Sequence, residues 1–120
     1  MSMQNWSDEM ILVELPAEPE TTDELERVVR AVRDRGDCGV VVDLSGVTVL
    51  TSTSLAALLR LKKLLDDCGR PLQLCSVGRA TQGIISLTGL DEVFEMVGDR
   101  FDALARAEAA PGVAPAPKAV

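Results

Sequence analysis

The apolar positions of this chain fall into two rhythms. Val40-Val41-Val42 is a continuous β-branched run, whereas Leu55, Leu58, Leu59, Leu61, Leu64 and Leu65 recur at helical spacing with Arg60, Lys62 and Lys63 between them. An unbroken β-branched run lacks the alternation of a sheet with one wet face, so 40–44 predicts a strand buried on both sides. The leucine pattern predicts a long helix, terminated by Gly69-Arg70-Pro71. Between the two lie Asp43-Leu44-Ser45-Gly46, then Val47-Thr48-Val49-Leu50, then four consecutive hydroxyl residues, Thr51, Ser52, Thr53 and Ser54.

Similar patterns organise the flanks. Met1 to Asp8 is mixed and polar, and reads either as a frayed start or as a first edge strand carrying Met3 and Trp6. Met10 to Leu15 reads as a strand, ended by a loop with two prolines, Pro16 and Pro19. Thr21 and Glu24 have capping-box spacing, and Leu25, Val28, Val29 and Val32 follow at helical intervals, which predicts a one-sided helix from about Thr22 to Arg35 with Gly36 as its stop. Leu72, Leu74 and Ser76 begin another strand. Gly78 to Gly83 leads into a short helix over Ile84-Ile85-Ser86-Leu87, Thr88 to Asp91 breaks it, and Val93 to Val97 has strand character. Phe101, Leu104 and Ala105 predict a last amphipathic helix to about Ala109. The Ala/Pro-rich stretch 110–120 has nothing to bury and reads as a flexible tail.

Strands alternating with helices predict an α/β domain over 1–109, with a mixed, mostly parallel sheet of about four to five strands and about four helices. Composition adds limits. The 120 residues suit one domain, and only Trp6, Phe94 and Phe101 are aromatic, so aliphatic side chains must fill the core. With 19 acidic and 12 basic residues the net charge is −7, the wrong sign for a surface that grips a phosphate backbone, so no direct nucleic-acid partner is expected. The basic residues Arg60, Lys62 and Lys63 read as a solvated helix face. Cys38, Cys68 and Cys75 lack C-x-x-C spacing and read as reduced, mostly structural residues. No segment suits membrane insertion, and a cytoplasmic protein is expected.

Candidate chemistry is sparse. The chain has no histidine, no metal-ligand cluster and no base placed beside a nucleophile, so neither an enzyme nor a metal or cofactor is expected. The glycines from Gly78 to Gly83 lack both the Lys-Ser/Thr ending of a phosphate-binding loop and dinucleotide-binding spacing. Asp43 suits a local Asx-type turn. The hydroxyl cluster remains. Ser and Thr at a helix start are caps, but free N–H groups and the helix dipole also favour an added phosphate there.

The run from Asp43 to Leu58, DLSGVTVLTSTSLAAL, resembles the signature of STAS domains of the bacterial anti-sigma factor antagonist type, approximately D-L-S-x-V-x-F-M-D-S-S/T-G-L-G. Downstream, LQLCSV from Leu72 and IISLTGLDEVF from Ile84 to Phe94 are similar to that family's later strand, helix and ending. Together the matches cover about residues 38 to 105. The resemblance implies the STAS fold and an antagonist that binds an anti-sigma factor, itself a serine kinase, to release a sigma factor. It further implies phosphorylation at Ser52, for which Thr51, Thr53 and Ser54 are the fallback acceptors, and partner contact through Ser52, Thr53, Ser54, Leu55 and Ala56. Phosphate would weaken that contact. Thr51 stands where the motif has aspartate, Ser54 and Ala56 stand where it has glycines, and the Gly-x-hydrophobic-Asp turn usual after the family's second strand is missing or replaced. Ser54 thus adds a side chain where an unusual backbone conformation is expected. The alternative is a phosphorylation-independent STAS interaction or scaffold subunit, in stress signalling or a lipid-transport complex.

Overall fold

The computed structural model describes residues 3–7, 10–99, 102 and 105. Five strands form one sheet in sequential order: β1 (Met3–Ser7), β2 (Met10–Glu14), β3 (Gly39–Asp43), β4 (Leu72–Cys75) and β5 (Glu95–Val97). β1 pairs antiparallel to β2 at the edge, with a register shift between Asn5 and Ser7, and β2 to β5 are mutually parallel. Of the two readings of the first residues, the strand is therefore the one realised for Met3–Ser7.

Three helices connect the parallel strands: α1 (Glu20–Arg35), α2 (Ser52–Asp67) and α3 (Arg79–Leu87), the last followed by a 3₁₀ turn at Leu90–Glu92. Adjacent parallel strands joined by right-handed crossovers place successive helices on the same face of a sheet. The packing agrees. Ile11, Val13, Val40, Val42, Leu72 and Leu74 from one sheet face form a single core with Leu25, Val28 and Val32 of α1, Leu58, Leu61 and Leu65 of α2, and Ile85 of α3. The other face presents Met10, Leu12, Val41 and Cys75, which are also buried. Burial on both faces explains why β3 is an unbroken apolar run, as its sequence predicts.

Three boundaries differ from expectation. α1 starts at Glu20, capped by Pro19 without a side-chain hydrogen bond, so the capping box at Thr21 and Glu24 does not form. Both residues already lie inside the helix, where the Thr21 hydroxyl donates to the Pro16 carbonyl at 2.7 Å and Glu24 pairs with Arg27 at 2.8 Å. α3 starts five residues before Ile84, so Gly83 is a helical residue and Gly78 the N-cap. β5 is short, and Phe94 immediately before it is buried.

Other expectations hold. Gly36 ends α1 in the left-handed region, φ 72°, with its N–H donating to the Val32 carbonyl at 2.7 Å. The sequence reading did not anticipate Gly39, which opens β3 one residue before the expected start and lies against the Pro71 ring, where an added Cβ would meet ring carbons at 2.8 and 2.9 Å. Of the expected last helix, Asp102 and Ala105 are helical and the Asp102 N–H donates to Asp99 Oδ1 at 2.9 Å. The rest of that helix and the tail 110–120 lie outside the described residues.

Candidate functional site

The site is built where β3 ends. At the carboxyl end of this strand Asp43 Oδ1 accepts the Ser45 N–H at 2.8 Å, the Asx turn its sequence suggests, and Val47 N–H closes a turn on the Leu44 carbonyl at 3.0 Å. Leu44, Val47 and Leu50 are buried, while Ser45, Gly46, Thr48 and Val49 are exposed. That spacing of about three pins the loop to the core and delivers the hydroxyl cluster to the surface. α3 adds a tie, since the buried Thr81 hydroxyl donates to the Val47 carbonyl at 3.4 Å.

The four hydroxyls then separate into two kinds. Thr51 is the N-cap of α2, in extended backbone conformation, and its Oγ1 accepts the Ser54 N–H at 3.1 Å. Ser54 is fully buried, with its Oγ donating to Glu18 Oε2 at 2.7 Å. Because that bond uses the Ser54 proton, the contact of 2.8 Å between Thr22 Oγ1 and Ser54 Oγ has Thr22 as donor. Ser52 and Thr53 are exposed, and among the described residues their hydroxyls have no hydrogen-bond partner. Ser54 is an ordinary helical residue. Among the described residues, Ser76 is the non-glycine residue with positive φ, at 56°, so the backbone conformation expected at 54 is not required.

Glu18, in the loop between β2 and α1, is the member of this cluster that the sequence reading missed. Its Oε2 accepts from the Ser54 hydroxyl and from the Thr51 N–H, the latter at 3.2 Å, and lies 3.2 Å from the Thr51 hydroxyl. Burial alone would raise the Glu18 carboxyl, but the hydrogen bonds from Ser54 and from the Thr51 backbone, with the Thr51 and Thr21 hydroxyls nearby, together outweigh it and hold the carboxyl below its ordinary value. α2 has no acidic residue in its first turn. Glu18 therefore supplies, from a distant loop, the negative charge that favours this helix end. One signal for it existed, the acid in the loop where the family has its Gly-x-hydrophobic-Asp turn.

Beyond the cluster, Ala56 and Leu59 continue the exposed face of α2, while Leu55 is half-buried against the core. Arg60 pairs with Glu26 of α1 at 3.3 Å, and Lys62 and Lys63 pair with Asp66 and Asp67 one turn on, so this basic segment is internally neutralised. A shallow opening lined by Val77, Gln82, Met96, Val97 and Gly98 lies over the ends of β4 and β5, and it contains no titratable side chain. The three cysteines are free thiols. Cys38 is buried, which pushes its thiol up, and Cys75 is buried in β4, while Cys68 is exposed. Among the described residues no three His, Cys, Asp or Glu side chains gather in a metal-holding group, and no helix is long and apolar enough to cross a membrane.

An α/β layer in which the loop after a central parallel strand carries a hydroxyl-rich helix start to the surface is the arrangement of this site. The chain belongs to the STAS family: a family model described as Mlab, STAS domain, matches residues 13–98. No curated protein matches it significantly. Among solved structures, the chain is similar to an anti-sigma factor antagonist from Mycobacterium paratuberculosis, with 29% identity over 88% of this chain and 91% of that one and a TM-score of 0.70. A Thermotoga maritima protein studied by NMR is 19% identical over 92% and 90% of the two chains, with a TM-score of 0.76. The Bacillus cell fate determinant SpoIIAA in its phosphorylated form is 11% identical over 87% and 96%, with a TM-score of 0.68.

Proposed function

We propose that this protein is an anti-sigma factor antagonist that binds an anti-sigma factor with serine-kinase activity through the start of α2, and that phosphorylation of Ser52 weakens the binding. The observation that carries this reading is the separation of the hydroxyls. Ser52 is exposed and uncommitted at the first helical position, whereas Thr51 and Ser54 are tied into the fold. Ser52 is accordingly the preferred acceptor, exposed Thr53 the next, and the buried Ser54 the least accessible.

In the modification step the Ser52 oxygen attacks the γ-phosphorus of ATP held by the kinase. ADP leaves, and the serine proton passes to the kinase's base. The product adds about −1.5 to −2 charge at neutral pH. Such a charge is tolerated at a helix N-terminus but is poorly desolvated by a close-fitting partner. Ser52, Thr53 and Ala56, with the half-buried Leu55 behind them, form the contact surface, while Ser54 supports it from beneath. The domain acts in the cytoplasm as a regulator of transcription through protein contacts, not as an enzyme.

A second reading is a STAS interaction subunit that needs no phosphorylation. It is favoured by Thr51, which replaces the motif's aspartate and is occupied as a cap. Intact mass and phosphosite mapping after incubation with a candidate anti-sigma kinase and ATP decide between them. The first reading predicts one phosphate, on Ser52. Stable partner binding with no modification of residues 51–54 would leave the second.

A further inference from the structure

We propose that Glu18 is a latch through which phosphate on Ser52 is communicated to the β2–α1 loop. A phosphoryl group there displaces the Glu18 carboxylate from Thr51 and Ser54 and frees residues 16–19 from the start of α2. This rests on the reading of Ser52 as the modified residue.

The argument begins with a single oxygen. Glu18 Oε2 gathers the Ser54 hydroxyl at 2.7 Å together with the Thr51 N–H and hydroxyl at 3.2 Å each, across 33 to 36 residues of sequence. Hydrogen bonds to a charged acceptor are the stronger kind, and this set is the loop's link to α2. Other bonds of the loop are local: Thr21 Oγ1 to the Pro16 carbonyl, and Glu20 N–H to the Ala17 carbonyl at 3.2 Å. They hold the loop's own shape and do not cross to α2.

Ser52 adjoins Thr51, whose N–H and hydroxyl face Glu18. Phosphate at Ser52 therefore places a second, larger negative charge at a helix end that already serves one carboxylate. Like charges repel, and both anions draw on the same partial positive charge of the first turn. The carboxylate is the one that can leave, because the phosphate is covalently fixed to α2 while Glu18 reaches in from a loop. α1 remains attached, since Thr22 in its first turn still donates to Ser54 Oγ. The displacement is thus confined to residues 16–19. A partner bound across α2 and this loop would then lose contacts on both.

The test uses the full chain with phosphoserine incorporated at position 52 during translation, so no kinase is needed. Amide exchange is followed by NMR at Thr51, whose N–H the latch protects, with the Gly36 N–H at the far end of α1 as reference. Phosphate is expected to speed Thr51 exchange by about tenfold or more while Gly36 is unchanged, as loss of a charge-assisted hydrogen bond requires. In Glu18→Gln, where no carboxylate is repelled, the phosphate-dependent change is expected to shrink to about twofold or less, and Glu18→Asp is expected to retain a response. Unchanged Thr51 exchange in the phosphorylated wild type, or an equal increase in Glu18→Gln, would overturn the latch. Binding to the candidate anti-sigma factor, measured on the same samples, separates the two levels. Loss of binding without any change at Thr51 sinks the latch and keeps the proposed function, whereas an opened latch with unaltered binding does the reverse.

Discussion

The two long helices of this domain solve the same problem at their N-termini in different ways. α1 starts from Pro19 without a side-chain cap but carries Glu20 and Asp23 in its first turn and Arg33 and Arg35 in its last, so its own sequence complements its dipole. α2 has neither acids in its first turn nor bases in its last. It relies on Thr51 as a cap and on Glu18, borrowed from another loop, for charge. A helix start that is electrically self-sufficient is a structural element. One that depends on a distant carboxylate is where, on the proposed reading, one added charge would change what the surface offers.

The largest expected effects lie in the helix bodies, where the two should not differ. Leu25→Ala in α1 and Leu61→Ala in α2 each remove a fully buried side chain from the shared core, and each is expected to cost about 2–5 kcal/mol in chemical denaturation. A value well under 1 kcal/mol for either would mean that its helix is not anchored as described. The starts should then separate. Thr51→Ala removes the bond to the Ser54 N–H and should cost about 1–2 kcal/mol, whereas Glu20→Ala removes only a dipole-favoured charge and should cost about 0.3–1 kcal/mol. Equal costs would erase the distinction.

The reasons for these differences were unevenly legible in the sequence. β3 and the body of α2 were readable because Val40-Val41-Val42 and the leucine spacing respond to burial, and burial dominates local structure. Gly36 was readable because only a positive φ ends α1 in that way. Thr21 and Glu24 misled because spacing fits a capping box wherever it occurs, while the helix start is set by the chain leaving Pro19. At the site, the sequence pattern placed the hydroxyls at a helix start but could not rank them, and the family resemblance alone put Ser52 first. The ranking depends on Glu18 and Thr22, which approach from 32 to 36 residues away. The glycine position of the family motif suggested backbone constraint at Ser54, yet here the side chain is used, buried and hydrogen-bonded, in a regular helix.

Acid sharpens the comparison further. The Glu18 carboxyl is held below its ordinary value, so its contribution to stability is fully present at neutral pH, above the unfolded-state value, and is lost as pH falls through the lowered folded value. Denaturation of wild type and Glu18→Gln across this range should show a stability gap at neutral pH that closes on acidification. A gap that widens in acid would reverse the assigned sign. The smallest effect is expected where the two helices touch through exposed charge: Arg60→Ala, which removes the pair with Glu26, should change stability by less than about 1 kcal/mol.

The most direct test of the central claim is a binding titration of the candidate anti-sigma factor against the unmodified chain, the chain with phosphoserine at position 52, and Ser52→Ala. The account predicts tight binding of the unmodified chain and of Ser52→Ala, and affinity at least about tenfold weaker with phosphate at Ser52, as a poorly desolvated interface charge requires. Equal affinity for all three, with the partner firmly bound, would contradict it.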